Sequence, residues 1–260
     1  MYSIIMVTYN SEKYIWQCIE SMQKHTPKEE CEIIIVDNSG KNYGIEGVIV
    51  NKSGSYPSGL NQGIAAAKYD TLICCNPDII VGEGWLNNVD NFLNQYGIIS
   101  FIDSNESTYT SGVQGVRRLI FNQIFSIDVS WYIAFCFAIR RDVYNRIGDF
   151  DERFLHECDD LDYSYRARKK GVKIGIIPGN VLHIGMASSK TTKDESYMNI
   201  LKSTYNFFSK YPEVNFAKEF GYYYDISRLN MLKKTFPDID DIESFRIQYK
   251  IAKGSVCTAL

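Results

Sequence analysis

Through its first hundred residues the chain alternates short apolar runs with stretches of helical spacing, and this restricts the fold more than any other feature. Tyr2–Thr8 reads as a buried strand rich in β-branched residues and ended by Asn10, after which Ser11 can cap a helix. The apolar positions Tyr14, Ile15, Cys18, Ile19 and Met22 recur at that helix's period, and Pro27 closes the unit. Glu32–Asp37 is the next strand, turned by Asn38-Ser39-Gly40, and a short strand over Gly47–Val50 precedes a Gly/Ser loop. Gly59–Lys68 is read as helical, Thr71–Cys75 as a near-continuous apolar strand, and Trp85, Leu86, Val89, Phe92, Leu93 and Tyr96 as a helix face. Strands separated by helices of this length predict a mostly parallel sheet covered on both faces.

Ligands of such a sheet bind at the carboxyl ends of its strands. Thr8-Tyr9-Asn10, Asp37-Asn38 and Asn76-Pro77-Asp78 each follow a predicted strand, so all three polar clusters should open on one rim. Each has a plainer reading. Asp37-Asn38-Ser39-Gly40 and Asn76-Pro77-Asp78 are also good turn sequences.

The second half changes character. Residues 103–130 are polar and read as a loop or short hairpin near the rim. Trp131–Ile139 reads as a buried strand, Arg141–Ile147 as a short helix, and Lys173–Pro178 and Val181–His183 as the last strands. Between Asp151 and Asp162 the chain carries six acidic residues and one basic residue, Arg153. Crowded carboxylates repel unless a cation sits among them or one is held ready to take a proton. Asp159 and Asp162 also suit a helix's first turn, with Arg166 four residues after Asp162 to pair with it. His183 alone is equally a hydrogen-bonded core residue.

A net charge of −3 argues against a nucleic-acid partner, which would require a basic excess. Nineteen tyrosines raise the aromatic share to 14%, most of it assignable to core packing. The seven cysteines show no regular spacing, and Cys74-Cys75 lie on one strand facing opposite ways, which predicts reduced thiols. No charged leader precedes an apolar stretch, and no apolar run reaches the length of a membrane span, so a cytoplasmic protein is expected.

Taken in order, Val7-Thr8-Tyr9-Asn10, Val36-Asp37-Asn38, Gly59-x-Asn61-x-Gly63, Asn76-Pro77-Asp78, Gly148-x-Phe150-Asp151-Glu152, Asp159-Asp160-x-Asp162 and His183 resemble the family-2 inverting glycosyltransferases, in particular their rhamnosyltransferase-like branch. The resemblance runs over residues 1–190. It implies an α/β, Rossmann-like GT-A domain there, its mostly parallel sheet flanked by helices, with residues 191–260 as a helical extension packed on it.

The resemblance also implies roles. Asp37 would accept a hydrogen bond from the N3–H of uracil or thymine, Thr8 and Asn10 would frame base and ribose, and Asn61 and Asn76 would join the donor-binding set. Asp78, in a variant of the Asp-x-Asp signature, would hold Mg²⁺ or Mn²⁺ on the donor diphosphate, and His183 would add a metal or phosphate contact. Asp160 would be the catalytic base, with Asp159 standing where the family carries Glu. Asp151 and Glu152 lie near enough to orient acceptor hydroxyls.

The expected reaction moves one sugar, with inversion, from a UDP- or dTDP-linked donor to a glycan or lipid-linked saccharide in bacterial surface polysaccharide synthesis. The Gln-x-x-Arg-Trp signature of processive synthases is absent, consistent with single additions. Peripheral contact with the inner face of the plasma membrane, a homodimer, and acceptor contacts from Tyr222-Tyr223-Tyr224 stay open. Two rivals remain at this point. One is a non-catalytic nucleotide-sugar-binding partner of another transferase. The other is a nucleotidyltransferase, which would want a glycine-rich basic loop where Thr8-Tyr9-Asn10 stand.

Overall fold

Strand β1 (Tyr2–Thr8) lies between β2 (Cys31–Asp37) and β4 (Thr71–Cys75), parallel to both, and β3 (Ile49–Val50) extends the parallel ladder beyond β2. This computed structural model describes residues 1–104, 127–129, 132, 134–155, 158–185, 203, 206, 207 and 209–211. The expected loop over 103–130 and the extension over 191–260 with its tyrosine run fall largely outside them, and the strand expected over Trp131–Ile139 begins only at Cys136, because Ala134 and Phe135 form a turn.

Past β4 the sheet becomes mixed. Its order is β3-β2-β1-β4-β8-β6-β9-β5, with β7 (Ile127–Val129) also paired to β9. Strand β8 (Cys136–Arg140) runs antiparallel to β4 and to β6 (Ile98–Asp103). Strand β9 (Ile174–His183) is parallel to β6, while β5 (Ile79–Val81) and β7 run antiparallel to it. The α/β architecture is as expected. Its parallel half is the half in which helices separate the strands.

The last strand is continuous where two were expected. Phe101 pairs with Ile177 and Asp103 with Val181, so the register shift absorbs Pro178 and its neighbours without ending the ladder.

Helices cover both faces. On one side lie α2 (Tyr56–Ala66), α4 (Arg141–Ile147) and α5 (Asp159–Lys169), and on the other α1 (Ile15–His25) and α3 (Val89–Gln95). Strand β1 divides accordingly. Ile5 and Val7 join the core beneath α2, and Ile4 and Met6 join the core beneath α1. Cys74 and Cys75 likewise point into opposite cores, and the described cysteines are free thiols. On α1 the buried stripe is Ile15, Cys18, Ile19 and Met22. Each such apolar side chain contributes about 1.5–3 kcal/mol relative to exposure.

The helix starts differ from expectation for local reasons. Residues 11–14 form a turn in which the Ser11 carbonyl accepts from the Tyr14 and Ile15 amides, so α1 begins at Ile15 and the Ser11 hydroxyl bonds back to Tyr9. Helix α2 begins three residues early because Ser55 caps it, accepting from the Ser58 amide at 3.2 Å, with Pro57 in the first turn. At its other end the Arg141 guanidinium donates to the Ile64, Ala67 and Tyr69 carbonyls, tying the helix end and the chain that leaves it to the start of α4.

Glycine lets α2 approach β1. A Cβ on Gly59 would lie 2.6 Å from Val7 Cγ1, and one on Gly63 would fall inside the envelope of Ile5 Cγ2. Gly63→Ala should therefore destabilise the fold by about 1–3 kcal/mol through overpacking, despite the gain of about 1 kcal/mol in helix propensity. Chemical denaturation measures this, and a variant as stable as the parent would refute the close-packing argument.

Candidate active site

Register places the loops. Thr8 pairs with Asp37, Asp37 with Val50, and Met6 with Cys75, so the chain leaves β1, β2, β3 and β4 at nearly one level. There Asp37 is wholly buried, and its carboxylate is filled from within the protein. Oδ1 accepts from Thr8 Oγ1 (2.9 Å), Ser39 Oγ (2.8 Å) and the Tyr43 hydroxyl (2.7 Å). Oδ2 accepts from the amides of Ser39 (3.0 Å) and Lys41 (2.6 Å). Thr8 and Asp37 thus meet each other, and in doing so they hold the 38–43 loop.

Asn51, which sequence reasoning passed over, is the second organiser of this rim. Its side-chain nitrogen donates to Asn38 Oδ1 (2.7 Å) and the Ser55 carbonyl, and its Oδ1 accepts from Ser53, Ser58 and Gln62. It directly follows β3, so the strand-end rule that singled out Asp37 could have found it. Asn10, half-buried, takes a left-handed φ of 50°, which asparagine tolerates better than most residues.

Beyond β4, Asn76 donates its amide to the Phe135 carbonyl at 2.8 Å, and the turn delivers Asp78, almost fully buried, toward β9. Ile79 pairs with His183 across β5 and β9. His183 Nε2 consequently lies 3.4 Å from Asp78 Oδ1. The Phe135 ring stacks on the imidazole at 4.7 Å, and the His183 amide donates to Asp103 Oδ1. The two residues expected to hold a cation are therefore neighbours, although distant in sequence. A carboxylate beside an imidazole suits a divalent ion. Among the described residues no group of three or more His, Cys, Asp or Glu side chains forms a complete cage.

The acidic segment separates into parts with different duties. Cys158, buried with a left-handed φ of 68°, sets the chain into α5, and its carbonyl accepts from the Asp162 amide. Asp160 is half-buried on the first turn, its Oδ1 accepting from the Leu161 amide at 2.8 Å. Burial, then the charges of Tyr163, Asp160 and Asp159, push the Tyr132 hydroxyl far above its ordinary range. The Tyr132 amide donates to Ser164 Oγ on α5 at 3.4 Å, while Phe135, three residues along, makes the contacts to Asn76 and His183.

Asp162 and Asp151 are structural anchors. Asp162 accepts from Arg166 Nε (2.8 Å), Lys210 Nζ (2.6 Å) and the Tyr211 hydroxyl (2.7 Å). The ion pair expected four residues along is there, joined by two groups no spacing rule reaches. Asp151 takes a bidentate contact from Arg153 and a 2.7 Å bond from Lys210. Burial alone would raise its pKa, but the hydrogen bonds from Arg153 and Lys210 outweigh that and hold it well below the usual carboxylate range.

Asn61 ties helix to loop. Its amide donates to the Phe150 carbonyl (3.0 Å) and to Glu152, while its Oδ1 accepts from the Phe150 amide (2.9 Å) and the Tyr144 hydroxyl. Its partners thus lie on α4 and the loop after it.

Residues 3–148 match the model of glycosyl transferase family 2. Among curated proteins, the rhamnosyltransferase WbbL of Escherichia coli (strain K12) is 22% identical, over 81% of this chain and 93% of that protein. Among solved structures, S. aureus TarS 1–349 in complex with UDP superposes with a TM-score of 0.55 at 15% identity, covering 98% of this chain and 91% of that one. GalNAc-T7 with UDP, GalNAc and Mn²⁺ gives a TM-score of 0.61 at 17% identity, over 90% of this chain. This chain spans about half of GalNAc-T7 (54%) and of a longer TarS chain (52%). These likenesses fix the fold as that of the GT-A glycosyltransferases. Among the described residues no helix is long and apolar enough to cross a membrane.

The lowered pKa of Asp151 carries a sign. Its stabilisation is complete above the unfolded value of about 3.9 and is lost as pH falls below that toward the folded value. Between about pH 6 and about pH 3 the parent should lose more stability than Asp151→Asn in denaturant titrations. Parallel losses in the two proteins would contradict the assignment.

Proposed function

The chain belongs to glycosyl transferase family 2, and from that premise we propose that it moves one sugar at a time, with inversion, from a UDP- or dTDP-linked donor to a hydroxyl of a glycan or lipid-linked saccharide. The observation that carries this reading is the meeting of Asp78 and His183, 3.4 Å apart, beyond the strand ends that position Thr8, Asp37 and Asn51. The names of the structural neighbours support a nucleotide donor, since TarS and GalNAc-T7 are both recorded with UDP.

In this proposal the nucleobase and ribose lie against Asn10 and the 38–43 loop, and Asp37 acts from beneath by fixing that loop. Asn76 faces the donor diphosphate, with Asp78 and His183 as the protein's contribution to a cation site that completes its oxygen shell from the phosphates. A divalent Mg²⁺ or Mn²⁺ bound there would neutralise the charge gathering on the leaving diphosphate. Asp160 accepts the acceptor hydroxyl's proton as that oxygen attacks the anomeric carbon from the face opposite the leaving group. The bond from the anomeric carbon to the phosphate oxygen breaks, and the nucleoside diphosphate departs with the electron pair.

Two measurements test the reading. Thermal shift with UDP, dTDP and GDP in the presence of Mn²⁺ should favour the pyrimidine nucleotides, and a clear preference for GDP would overturn the donor assignment. Release of UDP or dTDP from UDP-glucose, UDP-N-acetylglucosamine and dTDP-rhamnose should fall by about two to four orders of magnitude in Asp160→Asn, with nucleotide binding intact. Turnover close to the parent's would remove Asp160 from the base role.

A further inference from the structure

We infer that Lys210 and Tyr211 are positioning residues for sugar transfer, holding the first turn of α5, and with it Asp160, through the buried carboxylate of Asp162. This rests on the assignment of Asp160 as the base. Asp160 and Asp162 share one helical turn whose backbone enters at a strained residue, Cys158, so local geometry alone leaves the turn weakly determined. The grip comes from elsewhere in the chain. Lys210 Nζ and the Tyr211 hydroxyl both donate to Asp162 Oδ1, at 2.6 and 2.7 Å, and the same ammonium reaches Asp151 at 2.7 Å.

Packing reinforces the polar contacts. The Tyr211 ring stands edge-on to Tyr165 at 4.7 Å and to the buried Phe207 at 5.1 Å, and Asn206 donates to the Arg153 carbonyl at 3.0 Å. Asn206, Lys210 and Tyr211 therefore clasp both ends of the acidic stretch.

Neutralising Asp162 does not require Lys210. Arg166, four residues along the same helix, already supplies the opposite charge at 2.8 Å. What Lys210 and Tyr211 add is a tie from a distant part of the chain, which fixes where the helix start sits rather than whether the carboxylate is paired. Their hydrogen bonds reach none of the rim residues Thr8, Asp37, Asn51 and Asp78. Loosening them should accordingly disturb the proton transfer and leave donor binding alone.

The test compares Lys210→Met, Tyr211→Phe and Lys210→Arg with the parent and with Asp160→Asn. The readouts are kcat and donor KM for nucleotide release from the same three sugar nucleotides, with circular dichroism and thermal unfolding as fold controls. We expect Lys210→Met to lower kcat about 10- to 100-fold, the scale of a small misplacement of a reacting group, at unchanged donor KM. Lys210→Arg should recover most of the loss, and Tyr211→Phe, which keeps its ring packing, should show a smaller loss of the same kind. Should Lys210→Met fail to fold, Tyr211→Phe decides. Folded variants with parental kcat, or with kcat and KM disturbed together, would overturn the positioning role while an inactive Asp160→Asn left the base assignment standing. Parental turnover in Asp160→Asn would take both down.

Discussion

Parallel pairing of β1 with β2 on one side and β4 on the other constrains everything downstream, because parallel neighbours bonded in register must release their loops from the same edge. Thr8 lies opposite Asp37 and Met6 opposite Cys75, so the segments after these strands have nowhere to go but a shared rim. The ladder in turn depends on close cover. Gly59 and Gly63 bring α2 down onto Val7 and Ile5, and Arg141 ties the far end of that helix by its carbonyls. A polar rim over a dry, two-faced core is thus one construction, and the loops inherit their geometry from the packing below.

Much of this was legible in the residues. The apolar runs of β1 and β4 are buried on both faces, as is the carboxyl end of β2, and all three read as continuous, while the helical spacing of α1 and the bounds of α4 follow from side-chain period alone. What escaped is what period does not encode. Strand β5 follows β4 across a short turn with no helical spacer, and β8 enters between β4 and β6 in the opposite sense, so rules built on alternation had nothing to act on. Pro178 looked like a strand break. It sits in an irregularity of a ladder that continues on either side.

The site divides along the same line. The Asp162–Arg166 pair was readable because helical geometry makes four residues a contact distance, whereas Lys210 joins it from 48 positions away, beyond any local rule. The family pattern singled out Asn61 without saying what it touches, and its amide turns out to serve as a surrogate peptide group for Phe150. For Asp37 the turn reading and the functional reading both had merit. The Ser39 contacts are those of an Asp-led turn, and Tyr43 and Thr8 complete a cradle that only the folded chain assembles.

That cradle has an electrical meaning. A molecule of net charge −3, with acids on several loops, would be expected to repel a diphosphate ester at the mouth of its sheet. Five donors folded around Asp37 spread its charge over hydroxyls and amides, and its complete burial keeps it from facing outward. A polyanion approaching the strand ends there meets a muted acid, so the residue that shapes the entrance does not also guard it.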